Sequence, residues 1–143
     1  MTMPRIRLLN ENCCKYLETS SAGSVSLIVT DPPYGVQYKS GRQTLNGRGG
    51  VDVAGKRESA FFDRIQGDDI FPTEWLEDAF RVLEAGGALY LFLRWDRWSI
   101  VEAAVKAVGF VIKNMIVLNK SNHGMGDLRG QYAPKHELLM FCV

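Results

Sequence analysis

The stretch Val25-Ser26-Leu27-Ile28-Val29-Thr30-Asp31-Pro32-Pro33-Tyr34-Gly35 constrains this chain more than any other. Its first half is apolar and rich in β-branched residues, which reads as a buried strand. Pro32 and Pro33 lock φ and donate nothing to a sheet ladder, so the strand must stop at Asp31. In an open α/β sheet, ligands bind at the carboxyl ends of the strands. Asp31 and Tyr34 are therefore expected at the mouth of a cleft, on a segment too stiff to drift.

The flanking pattern predicts the rest of the sheet. Arg5 to Leu9 reads as a short first strand, and Asn12 as the cap of a helix over Cys13 to Thr19. Strand, helix and strand within about thirty residues match a βαβ unit. Pro72 and Thr73 open a helix to about Glu84, with Leu76, Ala79, Phe80 and Leu83 as its core stripe and Gly86-Gly87 as its stop. Ala88 to Leu93 is a continuous apolar run, expected of a parallel strand covered on both faces. A further helix spans about Ser99 to Val108. Ser99 and Glu102 have capping-box spacing, Asp96 is a competing cap, and Val101, Ala104, Val105 and Val108 form the stripe. Phe110 to Leu118 and Glu137 to Val143 are the last strands. With no helix between them, they are expected to form an antiparallel hairpin at one edge. The fold class is thus α/β, a mostly parallel sheet flanked by helices.

At 143 residues the chain is expected to be one domain, and 23% charged with a formal net charge of +1 is ordinary for a globular protein. No apolar run reaches membrane-spanning length and no signal peptide is evident, so a cytoplasmic location is expected. Three cysteines, with Cys13 and Cys14 adjacent, make neither a disulfide framework nor a metal-ligand spacing. Cys13 and Cys14 are read as packing residues.

From about residue 35 to 69 the periodicity dissolves into a glycine-rich segment, expected to be a long flexible loop. Lys39, Arg42, Arg48, Lys56, Arg57 and Arg64 outnumber Asp52, Glu58 and Asp63, an excess of three positive charges. The segment is either a solvated loop or a lid that touches an anionic polymer. Asn119 to Ala133 is a second polar, glycine-containing loop, in which Asn119-Lys120 and Gly124 to Gly126 are candidates for DNA backbone contact or a solvated turn. Trp95 and Trp98 follow the apolar strand, either lining a cleft or joining the core.

The acidic–diproline–aromatic corner has a chemical use of its own. The Asp31 carboxylate and the Pro32 carbonyl are two acceptors on one rigid turn, able to hold both hydrogens of a planar exocyclic amine. Such an amine is a poor nucleophile because its lone pair is delocalised into the ring. Fixed acceptors favour its pyramidal form and stabilise the positive charge that develops on attack. Tyr34 offers a ring face for the base. A base inside a duplex must be flipped out at a cost of a few kcal/mol, and stacking on one aromatic returns about 1–3 kcal/mol.

The runs LIVTDPPYG, RVLEAGGALYLFL and, much later, NK and HELLMF resemble the N6-adenine/N4-cytosine DNA methyltransferases of the β arrangement. The resemblance implies a partial Rossmann-like fold and a catalytic corner of Asp31, Pro32, Pro33 and Tyr34. It implies S-adenosyl-L-methionine as cofactor, DNA as partner, and a place in restriction-modification. Cofactor contact is carried over to Asp31, Asn10 and Asn12, although Glu11-Asn12 replaces the family's Gly-Asp. Nucleic-acid contact is carried over to Lys39, Arg42, Arg48 and Lys120. The late His136-Glu137 pair matches a family position at the start of a strand. Asp at the head of the corner favours N6 of adenine over N4 of cytosine.

One departure stands out. The family carries its Gly-rich cofactor motif after the region that this sequence spans, and no G-x-G follows a strand here. The resemblance therefore implies a chain shortened before that motif. It is read as a fragment, a prophage-type remnant, or a part completed by another chain, with a homodimer as a further possibility and a catalytically silent module as the alternative function.

Overall fold

The computed structural model describes residues 6–35, 71–123, 130 and 132–143. The chain divides into two compact units, Met1–Thr30 with Thr73–Val143, and Asp31–Pro72. The first unit holds the helices α1 (Cys13–Thr19), α2 (Trp75–Val82) and α3 (Trp98–Val108). Its strands are β1 (Val25–Thr30), β2 (Leu83–Leu93), β3 (Ile112–Asn119) and β4 (His136–Cys142). They form one sheet in the order β1-β2-β4-β3. β1 and β2 are parallel, whereas β4 runs antiparallel to both β2 and β3. The expected antiparallel pair is present, with β4 placed inside the sheet and β3 at its edge.

The sheet buries one face. Leu89, Leu91 and Leu93 alternate along β2, and the register sets them beside Cys142, Met140 and Leu138 of β4. All six are buried, together with Leu76, Ala79 and Val82 of α2 and Val101 and Val105 of α3. Burying a large apolar side chain of this kind contributes about 1.5–3 kcal/mol. On the other face Tyr90 stacks on Phe141, with ring centroids 4.8 Å apart and planes 15° from parallel. Leu27 and Val29 of β1 lie on that same side by register and are 52% and 59% exposed. Among the described residues nothing pairs with the outer edge of β1.

Asn12 caps α1 as expected, its side-chain oxygen accepting from the Cys14 N–H at 2.9 Å. The other end of α1 is held from afar. The Arg81 guanidinium donates to the carbonyls of Leu17 at 2.8 Å, Glu18 at 3.2 Å and Ser20 at 2.7 Å, and also engages Asp78. Carbonyls at a helix end have no partner within the helix, and a cation there also suits the helix dipole.

Several sequence expectations are corrected. Residues 6–10 form no strand, and Ile6 and Leu8 are 90% and 91% exposed. A strand needs a neighbour to complete its ladder, and this segment has none among the described residues. α2 ends at Val82 rather than near Glu84, because Leu83 turns extended (ψ 136°) and pairs with Val25. The buried stripe is consequently Trp75, Leu76, Ala79 and Val82. Phe80 is 43% exposed and meets Phe110 edge-on at 5.0 Å. Gly86-Gly87 lie within β2 rather than stopping α2. Neither Ser99 nor Asp96 caps α3, which starts after Arg97 without a side-chain cap. Glu102 instead accepts from Trp98 Nε1 at 2.9 Å and from Lys106 Nζ at 2.5 Å, and those partners, Lys106 first, hold its carboxyl below the usual range. Cys13 and Cys14 are exposed rather than packed, whereas Cys142 is buried.

Candidate active site

The corner begins at the residue covalently following Thr30, the last of β1. Asp31 is exposed, Pro32 buried, and Pro33 and Tyr34 half-buried. Gly35 closes the corner with φ of 66°, a left-handed conformation that side chains resist and glycine takes freely. The Tyr34 hydroxyl donates to Asp31 Oδ1 at 2.5 Å. This contact bridges the two prolines and joins the two side chains that carry chemistry. The second carboxylate oxygen, Oδ2, accepts no hydrogen bond from the described residues. The corner therefore presents one engaged and one open acceptor beside an aromatic ring whose outer edge is tethered. The sequence pointed to both residues separately; their i, i+3 spacing across Pro-Pro was the unread signal for the contact.

A second cluster sits in the sheet unit, at the carboxyl ends of β2 and β3. Arg94 grips Asp96 with two bonds of 3.0 Å, which explains why Asp96 does not cap α3. Lys120 Nζ meets Glu137 Oε1 at 2.6 Å, and the Lys120 N–H donates to the Lys135 carbonyl at 2.7 Å. Glu137 is thus a partnered carboxylate, and His136 beside it is exposed at the start of β4. Trp95 is 69% exposed, while Trp98 is half-buried and bonded to Glu102. Exposure makes Trp95 available to a ligand rather than to the core.

The cofactor residues expected from the sequence do not assemble into a cradle among the described residues. The Asn12 side chain is engaged in capping α1, and Asn10 lies exposed outside any element. No glycine-rich turn from strand to helix is present in the described residues. No group of three or more His, Cys, Asp or Glu side chains suited to a metal ion occurs among them either. Lys39, Arg42, Arg48 and the Gly124 to Gly126 turn lie outside the described residues, as does nearly all of the expected loop at 35–69. No helix among the described residues is long and apolar enough to cross a membrane.

Comparison with known proteins places this geometry. Residues 25–143 match the model of the N6_N4_Mtase family, described as DNA methylase. The chain is 29% identical over 136 residues to the type II methyltransferase M.HpaI of Haemophilus parainfluenzae, covering 94% of this chain and 38% of that protein. Identity to the type II methyltransferase M.HinfI of Haemophilus influenzae is 25% over 137 residues, covering 94% and 37%. The chain spans about two fifths of the length of these curated relatives. The fold is also that of the DNA modification methylase TTHA0409 from Thermus thermophilus, solved in complex with S-adenosyl-L-methionine. The TM-score there is 0.54 at 16% identity, over 92% of this chain and 50% of the other. The sheet order, the acidic–diproline–aromatic corner and the match over residues 25–143 converge: the chain belongs to the N6_N4_Mtase family of DNA methylases.

Proposed function

We propose that the Asp31–Tyr34 corner holds the exocyclic N6 amine of an adenine drawn out of DNA and readies it to receive a methyl group. The observation that carries this reading is the exposed Asp31 carboxylate, one oxygen held by Tyr34 and the other open, in a chain of the DNA methylase family. Asp31 Oδ2 and the Pro32 carbonyl accept the two amine hydrogens, and the Tyr34 ring stacks on the base. Acceptors fixed before the reaction stabilise charge developing on nitrogen without reorganising. On sequence grounds, Lys39, Arg42 and Arg48 are assigned to the DNA backbone. Lys120, already paired with Glu137, contributes less.

S-adenosyl-L-methionine is the methyl donor in this reading. Because the described residues form no cradle for it, its binding is assigned to polypeptide that the longer relatives have beyond the matched region, or to a second chain. The outer edge of β1, with Leu27 and Val29 exposed beside it, is the place for such a part to add. A second copy of this chain is the alternative occupant. The lack of a cradle among the described residues also favours one other reading, a catalytically silent module that keeps the base-holding corner.

The test is incorporation of labelled methyl groups into unmethylated DNA, followed by nucleoside analysis. N6-methyladenine is the expected product, and Asp31→Ala is expected to abolish it with unchanged circular dichroism. N4-methylcytosine as the sole product would move the assignment to cytosine. Full transfer by Asp31→Ala would remove the corner from catalysis. No transfer, with or without the longer part supplied, would leave the silent module.

A further inference from the structure

We propose that the Tyr34 hydroxyl is a positioning group: by holding Asp31 Oδ1 it aims Oδ2 at the target amine and fixes how the base lies on the ring. The inference rests on the base-holding reading above and adds a role for the one atom of Tyr34 that stacking does not use. The ring face alone accounts for stacking, and a phenylalanine would supply it equally. The hydroxyl is spent on the carboxylate three residues earlier, at 2.5 Å.

The consequence is geometric. Stacking on an aromatic tolerates sliding and rotation, so a ring by itself holds a base without registering it. A ring anchored at its backbone and again at its hydroxyl cannot swing away from the corner. Its outer edge is pinned at the carboxylate, and the carboxylate is prevented from turning. Hydrogen bonds from a hydroxyl to a charged oxygen are short and about twice as strong as neutral ones. A base on Tyr34 must then present its amine over the hydroxyl edge to reach Oδ2. A base with a carbonyl at that edge meets a carboxylate oxygen instead, an acceptor against an acceptor. The tether thus favours amino bases over keto bases and sets the nitrogen at a fixed approach to its acceptor.

The test compares wild type, Tyr34→Phe and a variant with 4-aminophenylalanine at position 34, using labelled methyl transfer to unmethylated phage DNA by the protein with its donor-binding part present. Tyr34→Phe keeps the ring and loses the tether. Its kcat is expected to fall about tenfold, as when one charge-assisted hydrogen bond is lost from a transition state. KM for DNA and the melting temperature are expected to stay within about twofold and a few degrees of wild type. The amino group restores a donor and should recover most of the rate. Tyr34→Phe transferring at the wild-type rate would overturn the positioning role while leaving the base-holding reading standing. A matched loss of melting temperature and rate, without rescue, would make the hydroxyl a structural brace and overturn it also. Absence of transfer by wild type would sink the base-holding reading itself, and this inference with it.

Discussion

The Arg81 guanidinium reaches the Ser20 carbonyl at 2.7 Å across 61 residues of sequence, and in the same fork takes the Leu17 carbonyl at 2.8 Å. The Gly23 N–H returns the contact by donating to the Arg81 carbonyl at 3.0 Å. One residue of α2 therefore ties down both the end of α1 and the turn that feeds β1. Arg81→Ala should cost about 1–2 kcal/mol, since the abandoned carbonyls are partly solvated. Arg81→Lys should recover less than half of that, because an ammonium cannot fork between carbonyls. Urea unfolding of the three proteins checks both values.

Gly86 and Gly87 differ in what an added methyl group would meet. A Cβ at Gly87 would lie 2.9 Å from the backbone oxygen of Glu84, which cannot give way. A Cβ at Gly86 would meet nothing within 4 Å, although φ of 84° is itself unfavourable for a side chain. Gly87→Ala is expected to cost about 1–3 kcal/mol, and Gly86→Ala about 1 kcal/mol. Equal denaturant midpoints for the two variants would contradict the packing argument.

Burial pushes the Cys142 thiol up to about 11 from an ordinary value of 9.0. A raised value means that the folded chain keeps its proton after the unfolded chain has released it. The thiol's contribution is therefore fully present below pH 9 and is lost as the pH rises through 11. Cys142→Ala should show a shallower loss of stability than wild type between pH 9 and 11, measured by thermal melts across that range. At about pH 8, where exposed thiols begin to ionise, iodoacetamide should modify Cys13 and Cys14 and leave Cys142 intact until the chain unfolds, as peptide mass mapping would reveal. Cys14 should lag Cys13, because partial burial and then the neighbouring Cys13 thiol push its pKa up.

Local chemistry alone determined a good part of this protein. The apolar β-branched run ended by two prolines could be only a strand with a sharp stop, and it is β1 followed by the corner. Asn12 before an amphipathic stretch, and Gly109 after another, set helix ends through a side-chain oxygen and a left-handed φ that need only their near neighbours. The antiparallel pairing of the last two strands followed from the absence of a crossover helix between them.

Tertiary structure decided what depends on partners far along the chain. Nothing local to Leu83 says that it leaves the helix; pairing with Val25 does. β4 lies between β2 and β3 because its apolar residues on both sides need cover that an edge position would not supply. The segment 6–10 has a strand's pattern and no ladder to join, whereas Arg81 reads as a surface charge and is a clamp. The corner divides along the same line. Its residue types and stiffness were legible in Asp31-Pro32-Pro33-Tyr34, but the bond from the Tyr34 hydroxyl to Asp31 is a relation between side-chain positions, which only the folded turn creates.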